Sequence, residues 1–98
     1  MIESRLTKRE ARRYLDQFVT TGSLRIADHA QRRMRKRRFG TQDARYVMAS
    51  GEIKSMSYQD DFGDWKIEIV GEDLDGYELT LLVGLDLDES RVSLITGF

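Results

Sequence analysis

The spacing of apolar residues divides the chain near Glu52 into a helical part and an alternating part. Before that point, apolar residues recur every three or four positions, which predicts helices over residues 1–22, 29–39 and 42–50. After it, apolar and polar residues alternate, which predicts strands over residues 53–58, 65–70, 77–83 and 92–96. The short turns between these strands indicate an antiparallel meander.

This order of elements predicts an α+β fold in a single domain, residues 1–98. Its N-terminal helical part, residues 1–51, packs on one face of a four- to five-stranded antiparallel sheet formed by residues 52–98. The short segment Leu24–Ile26 is compatible with either a fifth strand or an extended connector. A chain of 98 residues is long enough for one hydrophobic core.

Polar and glycine residues mark where the helices begin and end. Thr7 and Glu10 have the spacing of a capping box at the start of the first helix. Asp28 and Thr41 are the predicted N-caps of the second and third helices. The predicted breaks after the three helices are at Gly22, Gly40 and Gly51.

Composition excludes several kinds of site. The chain has no cysteine, so a disulfide, a thiolate nucleophile and a zinc–thiolate centre are all excluded. A single histidine does not suffice for a histidine-based metal site, and we expect neither a metal nor another cofactor. There is no long apolar run, and the N-terminal sequence lacks the apolar core of a signal peptide, so no membrane association and a cytoplasmic location are expected.

The net charge of −1 conceals a strong division along the chain. Residues 1–54 contain fourteen Lys and Arg against six Asp and Glu, a balance of +8. Residues 55–98 contain two against eleven, a balance of −9. Such asymmetry indicates a charged partner for at least one surface, or a basic helical layer that is partly neutralised by an acidic sheet.

The most basic stretch is HAQRRMRKRRF, from His29 to Phe39, where six of eleven residues are Arg or Lys and the chain's only histidine is found. On a helix, Ala30, Arg33, Met34 and Arg37 share one face, and His29 begins it. Guanidinium groups beside an imidazole suit the binding or cleavage of a phosphodiester. The alternative is a solvated helix in which His29 is structural and the arginines pair with sheet carboxylates such as Glu68 or Glu78.

The motif His29-Ala30-x-x-Arg33-Met34-x-x-Arg37 resembles the H-A-x-x-R-M-x-x-R-G signature of a bacterial domain-of-unknown-function family in the RelE-like toxin superfamily (the barnase–EndoU–colicin–RelE fold). The resemblance extends over roughly residues 24–97 and includes the Trp65 strand and a last strand that ends in Leu94-Ile95-Thr96-Gly97. The sequence departs from the signature at Arg38, where the family has glycine.

This resemblance implies a metal-independent endoribonuclease of the toxin–antitoxin type, whose partners would be RNA and a cognate antitoxin of the zinc-ribbon or helix-turn-helix kind. His29 would act as acid or base, because general acid–base catalysis near neutral pH most often uses histidine. Arg33 and Arg37 would hold the phosphate, and Thr96 in the last strand would orient it.

Further side chains are candidates for RNA contact, either by charge or by stacking: Arg32, Arg35, Lys36, Arg38, Tyr58 and Lys66. The alternative function is a non-catalytic module that binds nucleic acid or protein through the basic helix or the acidic sheet. An exposed edge strand in the predicted sheet favours a homodimer.

Overall fold

The computed structural model describes residues 6–61 and 63–98. The prediction of an α+β fold with helices packed on a sheet is confirmed. The elements in chain order are α1 (Lys8–Thr20), β1 (Leu24–Ile26), α2 (Asp28–Arg37), α3 (Thr41–Ser50), β2 (Glu52–Gln59), β3 (Asp64–Glu72), β4 (Glu78–Asp86) and β5 (Arg91–Gly97). Residues 1–5 of the first predicted helix, and Phe62 in the turn predicted after β2, lie outside the described residues. Within the described ranges, no helix has the length and apolar character needed to cross a membrane.

The sheet has five strands in the order β1-β5-β4-β3-β2 and is mixed rather than wholly antiparallel. Strands β2 to β5 form the predicted meander, whereas β1 runs parallel to β5. Hydrogen bonds from Val92 N to Ser23 O (2.9 Å) and from Ala27 N to Leu94 O (3.1 Å) extend this parallel pairing at both ends. Leu24–Ile26 is therefore a strand, because β5 offers it an unpaired edge.

All three helices contribute to the core on one side of the sheet. Alternate strand residues there are fully buried, among them Ile67, Leu81 and Leu94, and they share a single core with Leu15 of α1 and Val47 of α3. The strand pairing places the remaining side chains on the opposite face, which carries mainly polar residues such as Lys66, Glu68, Ser93 and Thr96. We refer to this second surface as the open sheet face.

The start of α1 confirms the predicted capping box. The Thr7 hydroxyl accepts a hydrogen bond from Glu10 N, and Glu10 Oε1 accepts one from Thr7 N, both at 3.0 Å. At the other end, Gly22 is left-handed, and Ser23 N donates to Phe18 O (2.8 Å), which closes the helix with a Schellman-type bond. The turn into β1 is therefore set locally by the sequence.

The starts of α2 and α3 and the end of α2 differ from prediction, whereas α3 ends at Ser50 with the predicted Gly51 as its C-cap. The N-caps are Ala27 and Gly40, each one residue before the predicted Asp28 and Thr41. Helix α2 ends at Arg37, and the left-handed residue is Arg38 (φ 59°, ψ 45°), not Gly40. The earlier ending places Phe39 in the core, where it is 5% exposed.

Candidate functional site on helix α2

His29 lies in the first turn of α2 and is exposed to solvent. The N-cap residue Ala27 makes no side-chain hydrogen bond to the helix. The N–H groups of the first turn therefore lack the side-chain acceptor that a capping residue supplies. The positive end of the helix dipole favours an anion, and the acidic residue in this turn is Asp28. His29 is thus an exposed imidazole next to that carboxylate-bearing residue.

Arg33 follows one turn later and ties α2 to the end of the sheet. Its side chain is half-buried, and its Nε donates to Gly97 O at 3.3 Å. Gly97 also supports the ring of Phe39, because a Cβ atom at this position would lie 2.9 Å from Phe39 Cε1 and closer still to Cζ. Arg33 is thus held in a defined place on the same side of the helix as His29.

The other cations of this helix are directed to solvent. Exposed side chains include those of Arg32, Arg35, Lys36, Arg37 and Arg38. Across residues 6–61 and 63–98, the only side-chain ion pair within 4 Å joins Lys54 to Glu52, at 3.3 Å. Arg33 and Arg37 therefore form no ion pair with Glu68 or Glu78, contrary to the alternative raised by the sequence. Within residues 6–61 and 63–98, no carboxylate forms an ion pair with a cation of α2.

A cavity of about 470 Å³ lies at the C-terminal end of α2. One wall is formed by Arg37, Arg38 and Phe39. The opposite wall belongs to the turn between β3 and β4 and to the start of β4, and it consists of Asp73, Asp75, Tyr77, Glu78 and Leu79. Opposite charges therefore face each other across a space without forming an ion pair. We call this space the α2–β4 cavity.

Asp43 in the first turn of α3 fixes both walls of the α2–β4 cavity. Its Oδ2 accepts a hydrogen bond from Gly40 N, just after Phe39, and its Oδ1 accepts one from Leu74 N in the turn, each at 2.9 Å. Within the turn, Asp73 Oδ1 accepts from the N–H groups of Asp75 and Tyr77, both at 2.9 Å. The carboxylate of Asp73 is thus engaged in shaping the turn.

Three of the predicted site residues lie away from His29. Thr96 pairs with Leu82, and Lys66 pairs with Gly84, so both belong to the open sheet face, across the sheet from α2. Tyr58 packs edge-to-face on Trp65, with ring centroids 5.4 Å apart. The structure therefore places Arg33 one turn after His29 and the other predicted cations, except Lys66, on the same helix or at its end, whereas Thr96, Lys66 and Tyr58 lie on strands of the sheet.

The sequence pattern did not single out Asp64, a titratable residue on the open sheet face. The carboxylate of Asp64 lies over Gly84, whose absent side chain leaves room for it, and it is close enough to Asp86 for the two charges to interact. Burial raises the pKa of Asp64, and the neighbouring charge of Asp86 raises it further, while Lys66 and a backbone hydrogen bond lower it. In the sequence, Asp64 is the last of several polar residues in a predicted turn. Only the folded structure places it beside Gly84 and Asp86.

A second, more apolar depression lies along the other side of α2. It has a volume of about 390 Å³ and is lined by Ile26, Gln31, Met34, Arg35, Phe39 and Thr41. Gln31 Nε2 donates to Ile26 O at 3.3 Å, which covers one carbonyl on the outer edge of β1. The depression thus combines an apolar floor with a cation at its rim.

The sequence was also compared with known proteins and families. Neither the curated proteins nor the solved structures contain a match to this chain. A family model described as a domain of unknown function, DUF4258, matches residues 26–96, which include α2, α3, strands β2 to β4 and β5 as far as Thr96, but only the last residue of β1. The match includes His29, Arg33, both walls of the α2–β4 cavity and Asp43. The chain therefore belongs to the DUF4258 family.

Proposed function

We propose that this protein binds RNA along α2 and cleaves it without a metal ion. The observation that carries the proposal is a set of exposed cations on α2 that form no ion pair with any other described residue, beside the exposed side chain of His29. Unneutralised Lys and Arg side chains on one element are the electrostatic pattern expected of a nucleic-acid interface. The first turn of α2, whose N-cap residue supplies no side-chain acceptor, would add backbone donors for a phosphate next to the imidazole.

The chemistry requires a proton acceptor, a fixed phosphate and charge stabilisation. His29 accepts the proton of the ribose 2′-hydroxyl, and the 2′-oxygen forms a bond to phosphorus. The bond from phosphorus to the 5′-oxygen breaks, and solvent supplies the proton that this leaving oxygen takes. Arg33 and the first-turn N–H groups stabilise the negative charge on the phosphorane, and Arg37 holds a neighbouring phosphate. The products are a 2′,3′-cyclic phosphate and a free 5′-hydroxyl.

The biological setting that we propose is a toxin of the RelE-like type with a cognate antitoxin. The α+β architecture and the His29-to-Arg37 spacing support this assignment. An antitoxin would act by covering the basic surface of α2 and so excluding RNA.

The test is incubation of the purified protein with single-stranded RNA in EDTA, followed by analysis of the product ends. Wild-type protein is expected to yield 2′,3′-cyclic phosphates, and RNA with 2′-deoxyribose at the cleaved position is expected to stay intact. His29→Ala should lower the cleavage rate at least roughly 100-fold while RNA binding is retained. Arg37→Ala should weaken binding.

Arg45→Ala provides the matched control, because Arg45 is an exposed arginine on α3 rather than α2. It should leave both cleavage and binding close to wild type. Cleavage that persists in His29→Ala would refute the assigned role of the imidazole. Intact RNA after a long time course, with binding that weakens steeply as salt rises, would instead identify a non-catalytic RNA-binding module.

A second candidate function is capture of an acidic segment of a partner protein. The apolar depression beside Met34, with Arg35 at its rim, favours it, because an apolar anchor flanked by carboxylates would fit both features. Arg35→Glu should then abolish copurification with the product of the neighbouring gene, whereas Arg45→Glu should not. Equal copurification of both variants would refute this role of the depression.

A further inference from the structure

We propose that the α2–β4 cavity recognises a guanine base of single-stranded RNA. The inference rests on the RNA-binding part of the proposed function and adds a base preference to it. Two features support it: opposite charges that line one space without an ion pair, and an aromatic side chain exposed at that space.

The charge arrangement suits a nucleotide better than a simple anion or cation. Arg37 and Arg38 offer donors to a phosphate, while Asp75 and Glu78 offer acceptors on the opposite wall. In the described part of the chain, none of these four side chains is engaged in an ion pair within 4 Å. A ligand that fills the space must therefore present negative charge on one side and hydrogen-bond donors on the other.

Guanine presents the donors that this wall requires. Its Watson–Crick edge carries N1–H and the N2 amino group side by side, so that one carboxylate can accept both hydrogen bonds. Adenine and cytosine place an acceptor beside their amino group, and uracil has a single N–H between two carbonyl groups. A carboxylate faces repulsion from each of those acceptors. The acidic wall therefore selects guanine by both attraction and repulsion.

The available carboxylates are those of Asp75 and Glu78. Asp73 lies on the same wall, but its Oδ1 already accepts two backbone hydrogen bonds within the turn. Tyr77 stands between Asp75 and Glu78 in the sequence and is 72% exposed. An exposed tyrosine ring is a suitable surface for stacking of an unpaired base.

The distance between the α2–β4 cavity and His29 determines which nucleotide, relative to the cleaved phosphate, the cavity would bind. Arg37 lies two helical turns after His29, about 12 Å along the helix axis. The recognised guanine would therefore belong to a nucleotide near the cleaved phosphate and not to the one that donates the 2′-hydroxyl. Binding and cleavage can consequently be measured separately.

The experiment measures fluorescence anisotropy of labelled 2′-O-methyl oligonucleotides, which cannot be cleaved through a 2′-hydroxyl. A uridine-rich strand with a single guanosine is compared with the same strand carrying inosine, adenosine or uridine at that position. Wild-type protein should bind the guanosine strand roughly 10-fold more tightly than the adenosine strand. Inosine, which lacks the N2 amino group, should fall between them.

The diagnostic variant is the double substitution Asp75→Asn with Glu78→Gln, and the matched control is Asp88→Asn with Glu89→Gln. The control removes the same two charges from exposed residues in the turn after β4. The preference for guanosine should disappear in the first variant and persist in the second. Tyr77→Ala should weaken binding of all four strands by a similar factor, roughly 10-fold.

The outcomes separate this inference from the proposed function. A guanosine preference that is lost only in the Asp75/Glu78 variant supports the inference, even if unmodified RNA is never cleaved. RNA binding without base preference, or a preference that survives in that variant, overturns it and leaves the proposed function standing. Failure of every strand to bind overturns both.

Discussion

The carboxylate of Asp43 accepts the backbone N–H of Leu74 at 2.9 Å and thereby joins the start of α3 to the turn between β3 and β4. The other oxygen of the same carboxylate accepts the N–H of Gly40 at 2.9 Å. One side chain thus links the segment that follows Arg38 and Phe39 to the turn that carries Asp73 and Tyr77. The shape of the α2–β4 cavity depends on this link.

We expect Asp43→Ala to lower the free energy of unfolding by about 1–2 kcal/mol, because two charge-assisted hydrogen bonds at a helix N-terminus are lost. Hydrogen exchange should also become faster at the amide of Leu74. Urea denaturation and amide exchange measure the two effects. Asp88→Ala, in an exposed turn, is the control, and an equal loss of stability in both variants would contradict the assigned role.

Arg38→Gly should stabilise the fold. Arg38 has φ 59° and ψ 45°, a left-handed conformation that costs a residue with a side chain about 1 kcal/mol relative to glycine. We expect a gain of about 0.5–1 kcal/mol in the free energy of unfolding, partly offset by the greater freedom of glycine in the unfolded chain.

Arg38→Ala separates this backbone effect from the loss of charge, because alanine keeps the strained φ and removes the guanidinium group. Both substitutions should weaken RNA binding, but only the glycine should raise the denaturation midpoint. A similar rise in both variants would show that the charge of Arg38, and not its backbone, limits stability.

Gly97→Ala should destabilise the protein by about 1–3 kcal/mol, because the added methyl group meets the ring of Phe39 and forces the chain to shift. Thermal denaturation measures the change. The control is Ser93→Ala on the open sheet face, which should change stability little. Another glycine such as Gly76 is unsuitable, because its positive φ of 88° would itself make alanine destabilising. The combination of Gly97→Ala with Phe39→Leu should lose less stability than the sum of the single variants.

Asp64→Asn should make stability less dependent on pH. Burial and the charge of Asp86 raise the pKa of Asp64 above its ordinary value of 3.8, so the folded state disfavours the ionised form. This cost is present at neutral pH and is relieved as the pH falls through the raised pKa towards 3.8.

The asparagine variant should therefore be more stable than wild type at pH 7, and the difference should shrink as the solution is acidified. Urea denaturation at a series of pH values measures it, with Asp88→Asn as the control. A variant that loses stability at neutral pH would show that the Asp64 carboxylate makes a net favourable interaction there.

The strands of the meander and the start of α1 were predictable, because the sequence patterns that specify them involve only neighbouring residues. Ile67 and Ile69 alternate with the polar residues Lys66 and Glu68, and this two-residue period leaves one face to be buried. The side chains of Thr7 and Glu10 each accept a hydrogen bond from the backbone N–H of the other, so their capping box does not depend on the rest of the chain.

The errors fall where a distant contact outweighs a local preference. Glycine is the usual left-handed residue, so Gly40 was the natural end for α2. Phe39, however, is buried against Gly97, and this packing requires the helix to end before it, which leaves the left-handed conformation to Arg38. The choice between a strand and a connector, which the sequence leaves open at Leu24–Ile26, is also decided by a distant contact, namely pairing with β5.

By itself, the sequence determined the kinds of elements, their order and the concentration of cations with the only histidine on α2, because periodicity and composition are properties of neighbouring residues. Only the tertiary structure decided that Arg37 and Arg38 share a cavity with Asp75 and Glu78, and that Thr96 and Lys66 lie across the sheet from His29. These relationships join residues far apart in the chain. They depend on strand register and on the Asp43 bridge, which no local pattern encodes.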